Sequence, residues 1–274
     1  MFYQKYSPAH HLKPFIECYY AWESIRSITP DTPLVIESPP NGFGSMVFNT
    51  GQPYAVQTLS GLWHSVPPSF VMGQSTQQYW LRLTGPVRVI GIVFRPAGLS
   101  ALFGLDMVEL TNERVDLTAI LGPTASILIQ QIADCSNPTQ KVAILEQFLS
   151  FQLLRQNTSA DRIDHATNLI VEQKGIIQLD MLIEDAFLCR RQFERKFLHR
   201  VGVSPKYYAR IRRVGYLCAQ LAGQRWQISD WQDLICRFGY YDQSHFIREF
   251  KAFTGKQPSL YVKDNVELGN FLES

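Results

Sequence analysis

The chain has 274 residues, long for one compact core, so two domains are expected. Hydrophobic residues make up 46% and charged residues 18%, an ordinary balance for a globular protein, and no apolar run reaches the ~18 residues of a membrane span. The net charge of +2 divides unevenly: residues 1–159 hold 9 Lys/Arg against 10 Asp/Glu, and residues 160–274 hold 17 against 14.

Within the second half, Arg190 to Arg213 carries nine basic residues and a single acid, Glu194, a net of +8 over 24 residues. Such a block repels itself unless an anion neutralises it, and phosphate is the usual partner. The N-terminal MFYQKYSPAHHLKPF is interrupted by His10, His11, Lys13 and Pro14, so it does not read as a secretory leader, and a cytoplasmic protein is expected. Cys18, Cys135, Cys189, Cys218 and Cys236 form no Cys-x-x-Cys pair, which points to reduced thiols and away from a zinc site.

In chain order, the text from Phe15 to about Val93 reads as β. Phe15–Trp22, Ser45–Phe48, Tyr54–Leu59, Tyr79–Leu83 and Val87–Phe94 are rich in branched and aromatic residues. Pro30, Pro33, Pro39-Pro40, Gly42, Gly51, Pro67-Pro68 and Gly85-Pro86 punctuate them. Short strands at such spacing predict a sandwich or small barrel. After Pro96-Ala97-Gly98 the apolar period becomes helical at Leu99, Leu102, Phe103 and Leu105. Two amphipathic helices follow, Ile120 to Ile132 and Val142 to Leu154, separated at Asn137-Pro138. The polar stretch QNTSAD (156–161) marks the boundary between a domain of residues 1–158 and one of residues 159–264. From Arg162 to about Tyr261 the pattern is helical, with breaks at Gly175, Gly202–Pro205, Gly223–Gln227, Gly239 and Gly255–Pro258. The fold class is therefore α+β, a β-domain with following helices and then an all-α domain.

Residues 178–213 and 229–261 contain the same device twice. In the first copy an apolar helix (Leu179, Leu182, Ile183, Ala186) turns at Phe187-Leu188 into a second helix with Phe193 and Phe197 four apart, which stops at Gly202. In the second, Trp231, Leu234, Ile235 and Phe238 turn at Gly239-Tyr240. Asp242 then caps a helix with Phe246 and Phe250 four apart, ending near Gly255. Phe193 to Gly202 and Phe246 to Gly255 span the same nine residues. Aromatics at i and i+4 pin one face of each second helix and free the opposite face. The free faces carry Arg190, Arg191, Glu194 and Arg195 in one unit, and Gln243, Ser244, Ile247, Arg248 and Lys251 in the other. Arg and Gln make bidentate contacts with guanine and adenine edges in the major groove. A helix over Pro205–Ala222, about 27 Å long, would join the units at a separation suited to one turn of DNA.

On these residues the C-terminal region resembles the DNA-binding domain of the AraC/XylS family of transcription regulators, with two helix-turn-helix units at about 178–202 and 229–255. Gly239-Tyr240, Asp242-Gln243-Ser244, Phe246, Arg248, Phe250-Lys251, Gly255, Pro258 and Tyr261 carry the likeness in the second unit. Phe193, Arg195, Phe197, Gly202, Val203-Ser204-Pro205 and Tyr208 carry it in the first. The resemblance implies base-reading roles for Arg191, Glu194, Arg195, Gln243, Ser244, Ile247 and Arg248, with Arg190, Lys196 and Lys251 on phosphates. The first unit departs from the family pattern. Ile183 stands where a small residue is usual, and Phe187 and Cys189 stand where a glycine turn and a serine cap are usual.

Residues 1–155 resemble the sensor half of some of these regulators through Pro39-Pro40-Asn41-Gly42, Val47-Phe48-Asn49, Gly73-Gln74 and Gly91-Ile92-Val93-Phe94-Arg95-Pro96-Ala97-Gly98. The resemblance implies a cupin-like domain for a small-molecule effector and for dimerisation, and the apolar surface of the helices from Leu99 to Leu154, more than one small β-domain would cover, is expected to form the dimer seam. Trp22, Trp63, Trp80 and Arg95 are the candidate effector residues, aromatic walls with a cation for an acidic group. A metal cupin needs clustered histidines and a carboxylate, whereas His10, His11 and His64 are scattered, so neither a metal nor another cofactor is expected. No Gly-x-Ser-x-Gly, phosphate loop or dinucleotide fingerprint occurs, and no enzyme activity is expected. The expected partners are double-stranded DNA, an effector, RNA polymerase and a second copy of the chain. Two alternatives stand beside this reading: a ligand-independent regulator whose front half binds a protein, and a cupin-like enzyme with a helical appendage.

Overall fold

A computed structural model describes residues 2–23, 28–59, 61–157, 159–224 and 230–264. Thr158 at the expected boundary, most of the break at Gly223–Gln227 and the first residue of the second unit at 229 lie outside the described residues.

The front half is a sandwich of two antiparallel sheets. One sheet orders its strands β1 (Phe2–Tyr6), β2 (Ile16–Glu23), β9 (Arg88–Phe94), β4 (Gly44–Asn49), β7 (Ser69–Met72) and β10 (Arg114–Asp116). The other orders β3 (Leu34–Ser38), β8 (Tyr79–Leu83), β5 (Tyr54–Thr58) and β6 (His64–Ser65). The large sheet is buried on both faces, because consecutive residues of its strands face two different cores. Val47, Phe70, Met72 and Val89 face the small sheet, while Met46, Phe48, Val71, Ile90 and Ile92 face helices. Its strands therefore read as continuous apolar runs. The outer strands β1 and β10 had no such run and fall outside the span expected to be β.

Four helices cover the second face: α1 (Gly98–Phe103), α2 (Leu117–Leu121), α3 (Pro123–Asp134) and α4 (Pro138–Gln156). Asp116 caps α2 and Asn137 caps α4, each accepting a backbone N–H at 2.8 Å. Leu128, Ile132, Val142, Leu145 and Leu149 are buried against the sheet, and Phe148 stacks on Phe103. The apolar surface that suggested a dimer seam is thus largely covered within one chain. Ile127, Phe151 and Leu154 remain exposed.

The C-terminal region contains α5 (Arg162–Glu172), α6 (Leu179–Asp185), α7 (Arg190–Val201), α8 (Pro205–Gly223), α9 (Trp231–Arg237), α10 (Gln243–Thr254) and α11 (Pro258–Asp264). Helix α8 is the linker; at 19 residues it is about 28 Å long. One apolar cluster runs from Trp22, Val56 and Leu83 in the sandwich through Tyr208, Leu217, Phe246 and Tyr261. The β-domain and the helical region are packed together rather than strung on a linker.

Candidate nucleic-acid interface

Each helix-turn-helix unit presents its second helix by burying one face. In α7, Phe193, Phe197 and Val201 have no exposed surface, and Phe197 lies 5.9 Å from the ring of Tyr208 on the linker. In α10, Phe246, Phe250 and Phe253 are buried, with Trp231 and Tyr240 on Phe246 and Tyr261 on Phe250. Burying rings of this size is worth several kcal/mol for each helix and sets its rotation about its axis.

Rotation decides what faces outward. Arg191, Glu194, Arg195 and Lys196 on α7, and Gln243, Ser244, Arg248 and Lys251 on α10, are all exposed, and Ile247 is half-buried against the aromatic cluster. The α10 set lies along one exposed face, while on α7 Arg191 and Arg195 share a face that Glu194 and Lys196 flank on either side. Arg190 is also exposed, but it is held by Asp180 and, at 3.6 Å, by Glu194, so two of the candidate residues occupy each other. Tyr241, which the sequence reading passed over, is 92% exposed immediately before the cap of α10. Its position one residue before a capping Asp is the signal that could have found it, because donors at a helix N-terminus are placed for phosphate.

The basic block is less available than its count suggests. Arg200 pairs with Asp161 and Asp164, Arg210 and Arg213 with Glu249, and Arg212 is buried with its guanidinium on the Asn41 carbonyl. Of the nine cations, Arg191, Arg195, Lys196 and Lys206 make no ion pair among the described residues. The rest of the charge ties helices together.

Those ties have a pattern. In the first unit Arg200 of α7 reaches the buried Asp164 of α5, whose carboxyl burial pushes up to about 6 despite the guanidinium beside it. In the second unit the polarity is reversed: the buried Glu249 of α10 accepts Arg210 at 2.7 Å and faces Arg213 at 3.7 Å, both on the linker. A half-satisfied charge in such a place would be costly, so each tie also fixes orientation.

The turn of the first unit keeps the left-handed geometry of the second without its glycine. Gly239 turns the second unit at φ +67°, and Phe187 turns the first at φ +53°. A phenylalanine in the left-handed region is strained, and its ring stays 78% exposed beneath the Arg162 guanidinium. Cys189 begins α7 with no side-chain cap, whereas Asp242 caps α10 through the His245 N–H at 2.7 Å.

The effector residues expected from the sequence do not converge. Trp22 lies in the sandwich core. Trp63 and Trp80 line a shallow depression on the outer face of the small sheet, with Arg82 over the Trp63 ring. Arg95 pairs with Glu17 at 3.3 Å and with Glu172 of α5 at 3.6 Å, so it joins the two halves of the chain instead of facing a ligand. A cation reaches toward the sandwich interior at Arg114, half-buried, which sequence reasoning missed because β10 is only three residues long. Its guanidinium lies 4.5 Å from the Tyr79 ring, and its Nη2 is buried without a hydrogen-bond partner among the described residues. Among the described residues, no three His, Cys, Asp or Glu stand together as a metal site, and no helix is long and apolar enough to cross a membrane.

Comparison with known proteins agrees with this geometry. Residues 182–264 match a family model described as a helix-turn-helix domain, and residues 4–116 match one described as a domain of unknown function (DUF6597). No curated protein sequence matches the chain. Among solved structures, ToxT from Vibrio cholerae is similar at 12% identity and a TM-score of 0.44, over 89% of this chain and 98% of that one. Unsaturated fatty acid bound wild-type ToxT from strain SCE256 gives 13% and 0.43, over 88% and 94%. The matched span contains the second helices of both units and the linker between them, and residues 182–264 are accordingly a helix-turn-helix domain.

Proposed function

We propose that the chain is a sequence-specific regulator that reads DNA with both recognition helices and responds to an acidic small molecule held in its β-domain. The observation that carries the first part is the pair of exposed faces on α7 and α10. In them Arg191, Arg195, Gln243, Ser244 and Arg248 are clear of the core, and base edges are the role assigned to them, with Glu194 and Ile247 beside them. Lys196, Lys251 and, by exchange from Asp180, Arg190 take phosphates. Each phosphate neutralised contributes about −0.9 to the slope of log affinity against log salt, so three give about −3. Fluorescence titration of the full chain with duplex DNA from low to moderate salt tests this; a flat line refutes it.

The effector part rests on Arg114. Its Nη2 is buried with no hydrogen-bond partner among the described residues while the guanidinium lies on the Tyr79 ring, and an anion there would satisfy it. Tyr54 and Tyr79 lie close enough to it to influence one another electrostatically, and Tyr20 and Tyr3 stack beside them at 5.9 Å. A carboxylate on Arg114 with tyrosine hydroxyls around it is the arrangement these residues favour. Mass spectrometry of small molecules released from the purified chain, with Arg114→Met as control, separates this from the protein-partner reading. Homodimerisation through exposed Ile127, Phe151 and Leu154 is the remaining expectation. Light scattering on the full chain measures it, and a monomer mass at micromolar concentration removes it.

A further inference from the structure

The β-domain touches both recognition helices in the same place, their last turns. The final carbonyls of a helix have no partner within it and must find donors elsewhere. In α7 the His199 carbonyl accepts the backbone N–H of Met107 at 2.9 Å, and the carbonyl of the cap residue Gly202 accepts the Thr111 hydroxyl at 3.1 Å. In α10 the Phe253 carbonyl accepts the backbone N–H of Gln78 at 2.9 Å. Both caps are left-handed glycines, at φ +91° and +74°. A Cβ on Gly202 would strike Met107 and Thr111, and one on Gly255 would strike Leu59. Just beyond the second cap, Lys256 reaches Glu37 at 3.1 Å, and Glu37 also accepts the Gln78 side-chain amide.

The two docking segments of the β-domain are themselves bonded together. The Asn112 N–H donates to the Gln74 carbonyl at 2.9 Å, the Thr76 N–H to the Asn112 side chain at 2.8 Å, and the Gly73 N–H to the Leu110 carbonyl at 3.1 Å. Segment 107–112 and segment 73–78 thus form one body that holds α7 at one end and α10 at the other. Between these points residues 40–43 lie along the linker. Tyr208 donates its hydroxyl to the Gly42 carbonyl at 2.8 Å, and Arg212 stacks on Phe43 at 4.2 Å. The faces that carry Arg191, Arg195, Gln243, Ser244 and Arg248 stay exposed.

We propose that this bridge fixes the separation and mutual angle of α7 and α10. The β-domain then determines which spacing of DNA sub-sites is read, with Thr111 and Glu37 as the positioning residues. The proposal rests on the reading that both helices enter the groove. A linker helix alone constrains the two units from one side; a second tie at the far end of each recognition helix closes the frame.

The probe is the duplex that the full chain selects from random DNA, together with versions carrying one base pair more or less between the two sub-sites. One base pair shifts a sub-site by about 3.4 Å and turns it by about 35°. The wild-type chain is expected to bind both altered duplexes at least about tenfold more weakly than the selected one. In the Thr111→Val, Glu37→Leu double variant, which removes the hydroxyl tie at the cap of α7 and the side-chain tie just beyond the cap of α10, that discrimination is expected to fall below about threefold, with Thr111→Ser behaving as wild type. Unchanged discrimination in a double variant that unfolds at the wild-type temperature overturns the proposal. So does tighter binding of the selected duplex, which would make the contact a restraint on DNA binding. Failure of Thr111→Ser to retain discrimination overturns the role of the hydroxyl. If base changes in only one sub-site weaken wild-type binding, the two-helix reading itself fails and takes the proposal with it.

Discussion

The two helix-turn-helix units share a frame and differ in how it is secured. Both bury two phenylalanines four residues apart, both end in a left-handed glycine, and both are tied by a buried carboxylate and arginine. The second unit has a glycine turn, an aspartate cap and a tie to the linker. The first has Phe187 strained in the turn, no side-chain cap, and a tie to α5 instead. A helix-turn-helix can therefore keep its geometry while its local signals weaken, provided that packing and one long-range ion pair replace them.

The largest effects should fall where the units are alike. Phe197→Ala and Phe246→Ala are each expected to destabilise the chain by about 3–5 kcal/mol, because both rings are fully buried in one continuous cluster. Denaturant unfolding followed by fluorescence and by circular dichroism checks this. If Phe246→Ala melts the second unit alone, with the first unfolding later in a separate transition, the shared cluster does not couple them.

Next comes a difference specific to the first unit. Burial holds the Asp164 carboxyl at about 6, above the usual 3.8. The folded state then binds a proton more readily than the unfolded chain, so this group's stabilisation is complete below about pH 4 and is lost as pH rises through 6. Asp161 beside it moves the other way: burial raises it, but the Asp164 N–H and Arg200 outweigh burial and hold it below its usual value, outside this window. Urea midpoints between pH 4 and 7 should therefore fall by the equivalent of about 2–3 kcal/mol, and Asp164→Asn should flatten that slope. A wild-type profile already flat there removes the assignment.

Base reading should favour the second unit. Arg248 is exposed and makes no ion pair among the described residues, whereas Glu194 of the first unit is shared with Arg190. Arg248→Ala is expected to cost about 1–3 kcal/mol on the selected sequence and to relax preference at one base position, while Lys251→Ala weakens all sequences alike. Equal losses for Arg248→Ala on selected and random duplexes would make it a phosphate contact.

Much of this was legible in the chain itself. The second unit could be read residue by residue because its turn, cap and aromatic spacing are all local, and strands β2, β4, β5, β8 and β9 announced themselves as apolar runs, whereas β3 and β7 were not singled out. What could not be read is what depends on distant partners. Arg200 and Asp164 are 36 residues apart, and Arg210 and Glu249 are 39 apart, so a count of charges took structural cations for DNA-facing ones. The helices after Leu99 carried the right apolar stripe, but a stripe does not say which surface it meets. It meets the sheet of its own chain, and that removes most of the motive for a dimer seam. The effector residues scattered for a related reason. Alternation places Trp22 and Trp80 on opposite sides of the small sheet only once the pairing of strands is known, and Arg114 reaches the interior from a strand too short to notice.

The smallest expected effect is also the most direct test of the contrast between units. Cys189 occupies the N-cap of α7 with φ −69° and ψ 153°, and Ser204, which caps α8, has φ −66° and ψ 153°. The backbone of Cys189 is thus already that of a serine cap, and only the oxygen is missing. A thiol is a poor acceptor, so the first N–H groups of α7 go without the side-chain bond that Asp242 supplies to α10. Cys189→Ser should stabilise the chain by about 0.5–1 kcal/mol, since the hydroxyl gains an acceptor role with no change in backbone. Asp242→Ala should destabilise the second unit by about the same amount, bringing the two units level. Thermal denaturation of the single and double variants measures both, and additive shifts are expected because the two caps are separate contacts on different helices. If Cys189→Ser leaves the midpoint unchanged, then the first turn of α7 is held without need of a side-chain cap. The weaker local signal would then mark a unit that does not need one.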